Sequence, residues 1–480
     1  MLTGWGERSA PRGGGWVLAL LLGLGAAGGA AAAEPAERPV PLSDQTGVAV
    51  TIYNGNLALV KDRRQVSLDQ GANRLAFIDV SAEMRPETAL LTAPGGGIEL
   101  VEQNFNFDLL TPRKILEKSV GSMVRVVVTN PQTGAETVED ARVLSVADGV
   151  VLQIGDRIET NPPGRIVFAE VPPKLRARPT LVLDLDSRDA GTQELELSYL
   201  TGGLGWHADY VAELEPDEKS LDLNGWVTLT NTSGTTYRDA QLQLVAGTVN
   251  VVRPPEDRRV MAMAAEAAPA PAMAEESVFE YHLYTLQHPT TLEENQTKQV
   301  ALLSGQGVPV RKEYRLDDIA HVLKYPMGEP RRVNATVRIA FDNSEAGRLG
   351  LPLPKGVVRV YKRDSRGQMI FLGEDSIDHT PKNESVRLNL GQAFDVTARA
   401  RQTEFEQLGE ETFESAYAIE IKNAKSEPVT VTVSQAMPGT WTILQESLPH
   451  TKTDAFRAEW QVGVAAEGST TLTYRVRTKY

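Results

Sequence analysis

Cysteine is absent from all 480 residues. That absence removes thiolate metal ligands, cysteine nucleophiles and disulfides together, and leaves core burial as the source of stability. Histidine is scarce as well, with six in the chain. Only His282 and His288 are close; on one strand they stand roughly 20 Å apart, too far to share an ion unless the chain folds back. No metal site and no cofactor are expected. A Gly-x-Ser-x-Gly elbow is missing, and the one Gly-x-Gly-x-x-Gly, Gly23 to Gly28, falls in the N-terminal leader. Asp184, Asp186 and Asp189 depart from a calcium loop, because Arg188 takes a ligand position and Asp189 that of the turn glycine. An excess of basic residues is lacking too: the formal charge is −14, which argues against nucleic acid as a partner.

Long apolar runs are missing beyond the first 33 residues. There Arg8 and Arg12 precede Trp16 to Leu24, and small residues lead to Ala31-Ala32-Ala33. This is a secretory signal layout, and its apolar run is about half of the ~20 residues needed to span a bilayer. Cleavage after Ala33 is expected, with retention as an anchor the alternative. The mature chain then carries 47 basic and 62 acidic residues.

What remains is β-pattern. Val48 to Tyr53 and Leu57 to Lys61 flank Asn54-Gly55, residues that tolerate the positive φ of a tight hairpin. A meander follows, then Thr111-Pro112 opens a short helix with Thr as cap and Pro in the first turn. From Met123 five short strands suggest a small barrel-like module ending near Pro172-Pro173. Residues 34–118 are thus an N-terminal β unit with a short helix at its end, 119–172 the module, and 173–480 a β-sandwich domain. Within the last, 253–278 is an Ala/Met/Pro/Glu tract too poor in large apolar groups to pack, and reads as a flexible inserted loop. The fold class is mainly β and multi-domain: antiparallel sandwich units, a barrel-like module and few short helices.

One stretch organises the rest: Leu197 to Tyr210, with Gly202, Gly203 and Gly205 followed by Trp206-His207-Ala208-Asp209, answered by Gly225-Trp226. The glycines mark a bend, and Trp206 and Trp226 on neighbouring strands are expected to anchor one core. His207 is expected exposed, since Trp206 and Ala208 alternate with it. Trp206, His207, Asp209 and Trp226 are the candidate binding residues; no catalytic residue stands out. At the C-terminus Leu472, Tyr474, Val476, Thr478 and Tyr480 alternate toward a terminal aromatic, as an outer-membrane barrel strand would. The last strand of a soluble sandwich has the same pattern and is the preferred reading.

Phe107 to Gly121, Ser198 to Tyr210, Leu244-Val-Ala-Gly247, Tyr284-Thr-Leu286 and Gly391-Gln-Ala-Phe-Asp395 together resemble the bacterial exported proteins of domain of unknown function 4139, some of them mucoidy-inhibitor-like. The likeness covers Pro179 to Tyr480, with a similar lead-in before it. It implies a mostly β envelope protein with no established activity and supplies no catalytic residues. The expectation is an exported periplasmic protein with a non-catalytic binding or structural role, alternatively extracellular or outer-membrane associated. Envelope proteins or cell-surface glycans are the expected partners, with no membrane span after cleavage. Two alternatives stand beside it: an envelope hydrolase using acidic residues near 199–210, and an outer-membrane-integrated β protein.

Overall fold

A computed structural model of the chain describes residues 35–106, 108–160, 162, 164–172, 175–247, 249–250, 274–278, 281–322, 324–330 and 332–480. The leader, 1–33, lies outside the described residues, as does most of the expected loop 253–278. The fold is mainly β, in several open sheets and, among the described residues, with one α-helix.

The chain begins with β1 (Glu37–Val40), β2 (Gln45–Tyr53), β3 (Leu57–Leu68), β4 (Gly71–Ile78), β5 (Leu90–Thr92) and β6 (Ile98–Asn106). Gly55 and Asn56, at φ 93° and 59°, close the β2–β3 turn with Tyr53 opposite Leu57. Helix α1 (Pro112–Lys118) starts as its sequence dictates: Thr111 Oγ1 accepts from Lys114 N at 3.2 Å, and Pro112 occupies the first turn.

Next come β7 (Met123–Thr129), β8 (Glu136–Ser145), β9 (Val151–Ile154), β10 (Arg157–Thr160) and β11 (Arg165–Val167), one sheet in the order β10-β9-β8-β7-β11. Val124, Val126, Ala141, Val143, Leu152 and Ile154 give it a small core of its own. The five expected strands are present, but the sheet does not close into a barrel. Closure needs tilted, staggered edges long enough to meet, and its edge strands β10 and β11 have four and three residues.

Next along the chain come β12 (Thr180–Ser187), β13 (Gly191–Thr201), β14 (Leu204–Leu214), β15 (Ser220–Asn231), β16 (Tyr237–Ala246), β17 (Ala274–Val278), β18 (Tyr281–Thr285), β19 (Thr290–Leu292) and β20 (Gln296–Pro309). β12 lies between β4 and β6, β13 pairs with β3, and β16 pairs with β2 in parallel. Residues 34–118 and 173 onward therefore share one continuous core, from Val40 to Leu388, rather than forming separate units. The 119–172 module is an insertion between the paired strands β6 and β12, and its two leads meet where Leu110 N donates to Arg176 O at 2.8 Å. The tract read as a loop also ends sooner than expected. Ala274–Val278 is a strand, because pairing with β18 supplies the hydrogen bonds that its own weak β-pattern does not enforce.

The second core lies against a sheet of β21 (Arg311–Asp317), β22 (Arg332–Asp342), β25 (Ser385–Gln407), β26 (Thr412–Asn423), β27 (Val429–Ala436), β28 (Thr440–Glu446), β29 (Thr451–Asp454), β30 (Arg457–Val464) and β31 (Ser469–Lys479), in the order β28-β31-β26-β25-β22-β21-β27-β30-β29. Leu472, Tyr474 and Val476 of β31 face this core. The other two strands, β23 (Gly356–Arg363) and β24 (Met369–Ile377), extend the sheet β20-β15-β14-β23-β24. Two long strands join the cores: Ile339, Phe341, Val386 and Leu388 serve the first, while Ala335, Val396, Ala398 and Ala400 of the same β22 and β25 serve the second.

Candidate functional site

At Gly202-Gly203 the chain leaves the sheet of β13 and enters that of β14, so the expected bend is a sandwich corner. Gly203 has φ +73°, a region that side chains disfavour, and a Cβ there would lie 2.5 Å from Ser233 Cα. Asn56 Oδ1 accepts from Gly203 N at 2.7 Å, which ties the corner to the β2–β3 turn. Past the corner Trp206, Ala208 and Tyr210 enter the first core. Trp226 does not join them. Its register partner is Asp209, which places it on the opposite face of the sheet, half-buried and away from the core. The expectation of two tryptophans anchoring one core fails because facing strands share side-chain direction at paired positions, and Trp206 pairs with Leu229.

That outer face carries a polar ladder crossing all five strands of its sheet. Gln299 on β20 donates to Thr228 Oγ1 at 3.1 Å, and Thr228 on β15 donates to Asp209 Oδ2 at 2.8 Å. Arg359 on β23 donates to Asp209 Oδ1 at 2.9 Å, and its Nε lies 3.2 Å from Glu374 on β24. His207, 61% exposed as its position implied, puts Nε2 3.1 Å from Asp209 Oδ2. Burial raises the Asp209 pKa, but hydrogen bonds from His207, Arg359 and Thr228 outweigh it and hold the carboxyl well below the usual range. A carboxylate fixed as an anion by these donors is an anchor rather than a proton carrier at neutral pH. The ladder lies on the sheet face, and the molecule's main concavities are lined by other residues.

A cleft lies where the two cores join. Along β22 and β25, Asn334 pairs with Thr397 and Thr336 with Gln392, so Ala335 alone faces Ala393, Phe394, Asp395 and Val396. Such a bulge disrupts the ladder and re-aims a side chain. Here Val396 turns into the core while Phe394 is left 85% exposed. Asn334 Nδ2 donates to Ala393 O at 2.9 Å and Ala424 N to Asp395 O at 2.8 Å, which pin the bulge from both sides. Phe394 overhangs a cleft of about 290 Å³ with Leu214, Val337, Ile339, Leu372 and Leu390 among its walls. Inside it Glu218 takes Lys312 at 2.6 Å and Lys362 at 2.7 Å. Burial pushes the Glu218 pKa up, yet the two ammonium groups bring it net below its ordinary value. Phe394 and Asp395 also line a second concavity of about 380 Å³ containing Arg332, Arg399 and Lys422.

A family model for a domain of unknown function, DUF4139, matches residues 195–480. The chain belongs to the DUF4139 family. No curated protein matches it. The match begins within β13, so the DUF4139 region holds the corner, the ladder and the cleft, while strands β1 to β6 that complete its first core precede it.

Within the DUF4139 domain the structure brings His207, Asp209 and Trp226 onto one face and sends Trp206 to the other. Sequence reasoning missed Thr228 and Arg359, which reach Asp209 through strand pairing across 19 and 150 positions, and Gln299 and Glu374, which join the ladder through Thr228 and Arg359. It also left Phe394 without a role, although Gly391-Gln-Ala-Phe-Asp395 marked the site: Gly391, at φ +136°, opens the bulge segment. Among the described residues no group of three or more His, Asp or Glu is placed to hold a metal ion.

Proposed function

We propose that this DUF4139 protein is exported to the bacterial envelope, works in the periplasm, and acts there by binding another envelope component, protein or glycan, without catalysis. The observation that carries the reading is the Phe394 bulge: a large aromatic held 85% exposed over a cleft with both apolar and charged walls. Covering an aromatic side chain buries about 200 Å², worth on the order of 5 kcal/mol before the costs of association. Hydrogen bonds to the Ala393 and Asp395 carbonyls hold the bulge in place, so the side chain is offered preorganised. The donors fixing Asp209 and the lysines fixing Glu218 favour binding over a hydrolase, since neither carboxylate is left to shuttle protons.

The test is site-specific photo-crosslinking from residue 394 in the protein's own envelope, beside Phe394→Ala and the distant Val138→Ala as a surface control. One specific adduct from residue 394, with partner binding lost in Phe394→Ala and kept in Val138→Ala, is the expected result. Turnover of a peptide or glycan by the purified chain, or binding indifferent to Phe394, would overturn the reading.

A further inference from the structure

The second hollow beside Phe394, of about 380 Å³, collects charges that the fold leaves unmatched. Val396, Ala398 and Ala400 of β25 face the second core, so Arg399 points away from it. Arg332 on β22 is its register partner and shares that face. Both arginines are exposed, and both line the hollow. Like charges directly opposite one another destabilise a sheet. Yet among the described residues neither guanidinium is in an ion pair. Glu420, which stands opposite Arg399 on β26, is held instead by Lys422 at 3.2 Å. The remaining carboxylate of the hollow, Asp395, is likewise exposed and in no ion pair among the described residues. Two free cations and one free anion therefore share a hollow with the exposed ring of Phe394.

We propose that this hollow binds a small phosphate monoester carrying a primary ammonium group, an aminoalkyl phosphate. The planar fork of arginine matches phosphate oxygens bidentately, and Arg332 and Arg399 are placed to take one phosphoryl group between them. A monoester brings a charge of about −1.5 to −2 at neutral pH, which answers both guanidinium groups and removes their mutual repulsion. Asp395 lies four residues before Arg399, at most about 13 Å along the strand, a span that the long arginine side chains shorten. Its carboxylate accepts from the ammonium group. The Phe394 ring walls the same space and covers the alkyl segment. Ligands that satisfy only part of this set fit less well. Inorganic phosphate sets a like charge against Asp395, and a simple amine sets one against the arginines. A phosphodiester offers a single negative charge to two guanidinium groups. The site goes beyond the binding of an envelope component by Phe394, because it uses that ring only as a wall.

O-phosphoethanolamine is the probe, titrated calorimetrically into the purified protein at low salt. Inorganic phosphate, ethanolamine and glycerophosphoethanolamine are the comparisons. Saturable one-to-one binding of O-phosphoethanolamine is expected, about tenfold or more tighter than any of the three. Arg332→Gln and Arg399→Gln should each weaken it about tenfold or more. Asp395→Asn is the sharper variant: it should weaken O-phosphoethanolamine while tightening inorganic phosphate, and opposite shifts cannot come from a loss of folding. Four results would overturn the inference: no binding of the probe; a comparison compound that binds as tightly; arginine variants that bind like wild type; or Asp395→Asn moving both ligands in the same direction. If the probe fails to bind while crosslinking from residue 394 succeeds, this inference falls and the reading of Phe394 stands.

Discussion

Arg64 donates two hydrogen bonds to one carboxylate oxygen of Asp62, from Nε at 3.1 Å and Nη2 at 2.7 Å, with both side chains inside the first core. They occupy inward positions of β3, in the row of Val60, Val66 and Leu68. The second carboxylate oxygen accepts from Gln45 at 2.8 Å, and Arg64 Nη1 reaches the carbonyls of Val40 at 2.5 Å and Ile78 at 2.8 Å. One guanidinium therefore ties β3 to both β1 and β4. Arg64→Met leaves a buried carboxylate and two carbonyls without their donor, and should destabilise the protein by about 3–5 kcal/mol in urea unfolding. Adding Asp62→Leu should recover part of that loss, because the carbonyls remain unsatisfied.

The corner glycines make separable predictions. Gly203→Ala places a Cβ 2.5 Å from Ser233 Cα and 2.7 Å from its N, at φ +73°. Strain and overpacking together should cost about 2–4 kcal/mol. Gly205→Ala meets nothing within 4 Å and has no positive φ. It should fall within about 0.5 kcal/mol of wild type. Equal losses at the two positions would show that the corner does not constrain the chain as described.

The two tryptophans separate in the same way. Trp206→Ala empties a buried site in the first core and should cost about 3–5 kcal/mol. Trp226→Ala, on the outer face, should cost less than half of that. Similar costs would place both rings in the core.

How much of this was legible in the sequence depended on range. The Asn54-Gly55 turn and the Thr111 cap follow from neighbours along the chain, as does the β class. The shared core of 34–118 and 173 onward did not, because β2 pairs with β16 and β3 with β13 only after the intervening module has been looped out. The site divides likewise. His207 and Asp209 stood out beside the glycines, whereas Arg359 acquires its role from a parallel pairing that aligns Asp209 with Val357. Phe394 was hidden for another reason. Alternation assigns strand residues to faces only while the register is regular, and the bulge at Ala393 to Val396 breaks it.

The ladder also sets a pH dependence. The folded pKa of Asp209 is depressed, because hydrogen bonds from His207, Arg359 and Thr228 overcome the opposing effect of burial. A group whose folded pKa lies below its unfolded value contributes stability that is fully present above the unfolded value, near 3.9 for aspartate, and is lost as pH falls toward the folded one. Asp209→Asn removes that contribution. The variant should therefore be less stable than wild type at neutral pH, and the gap should narrow steadily on acidification below about pH 4. Urea unfolding of both proteins across that range measures it. Because other carboxylates titrate equally in both proteins, the difference between the two curves isolates the ladder. A gap that stays constant with pH would mean that Asp209 gains nothing from its donors in the folded state.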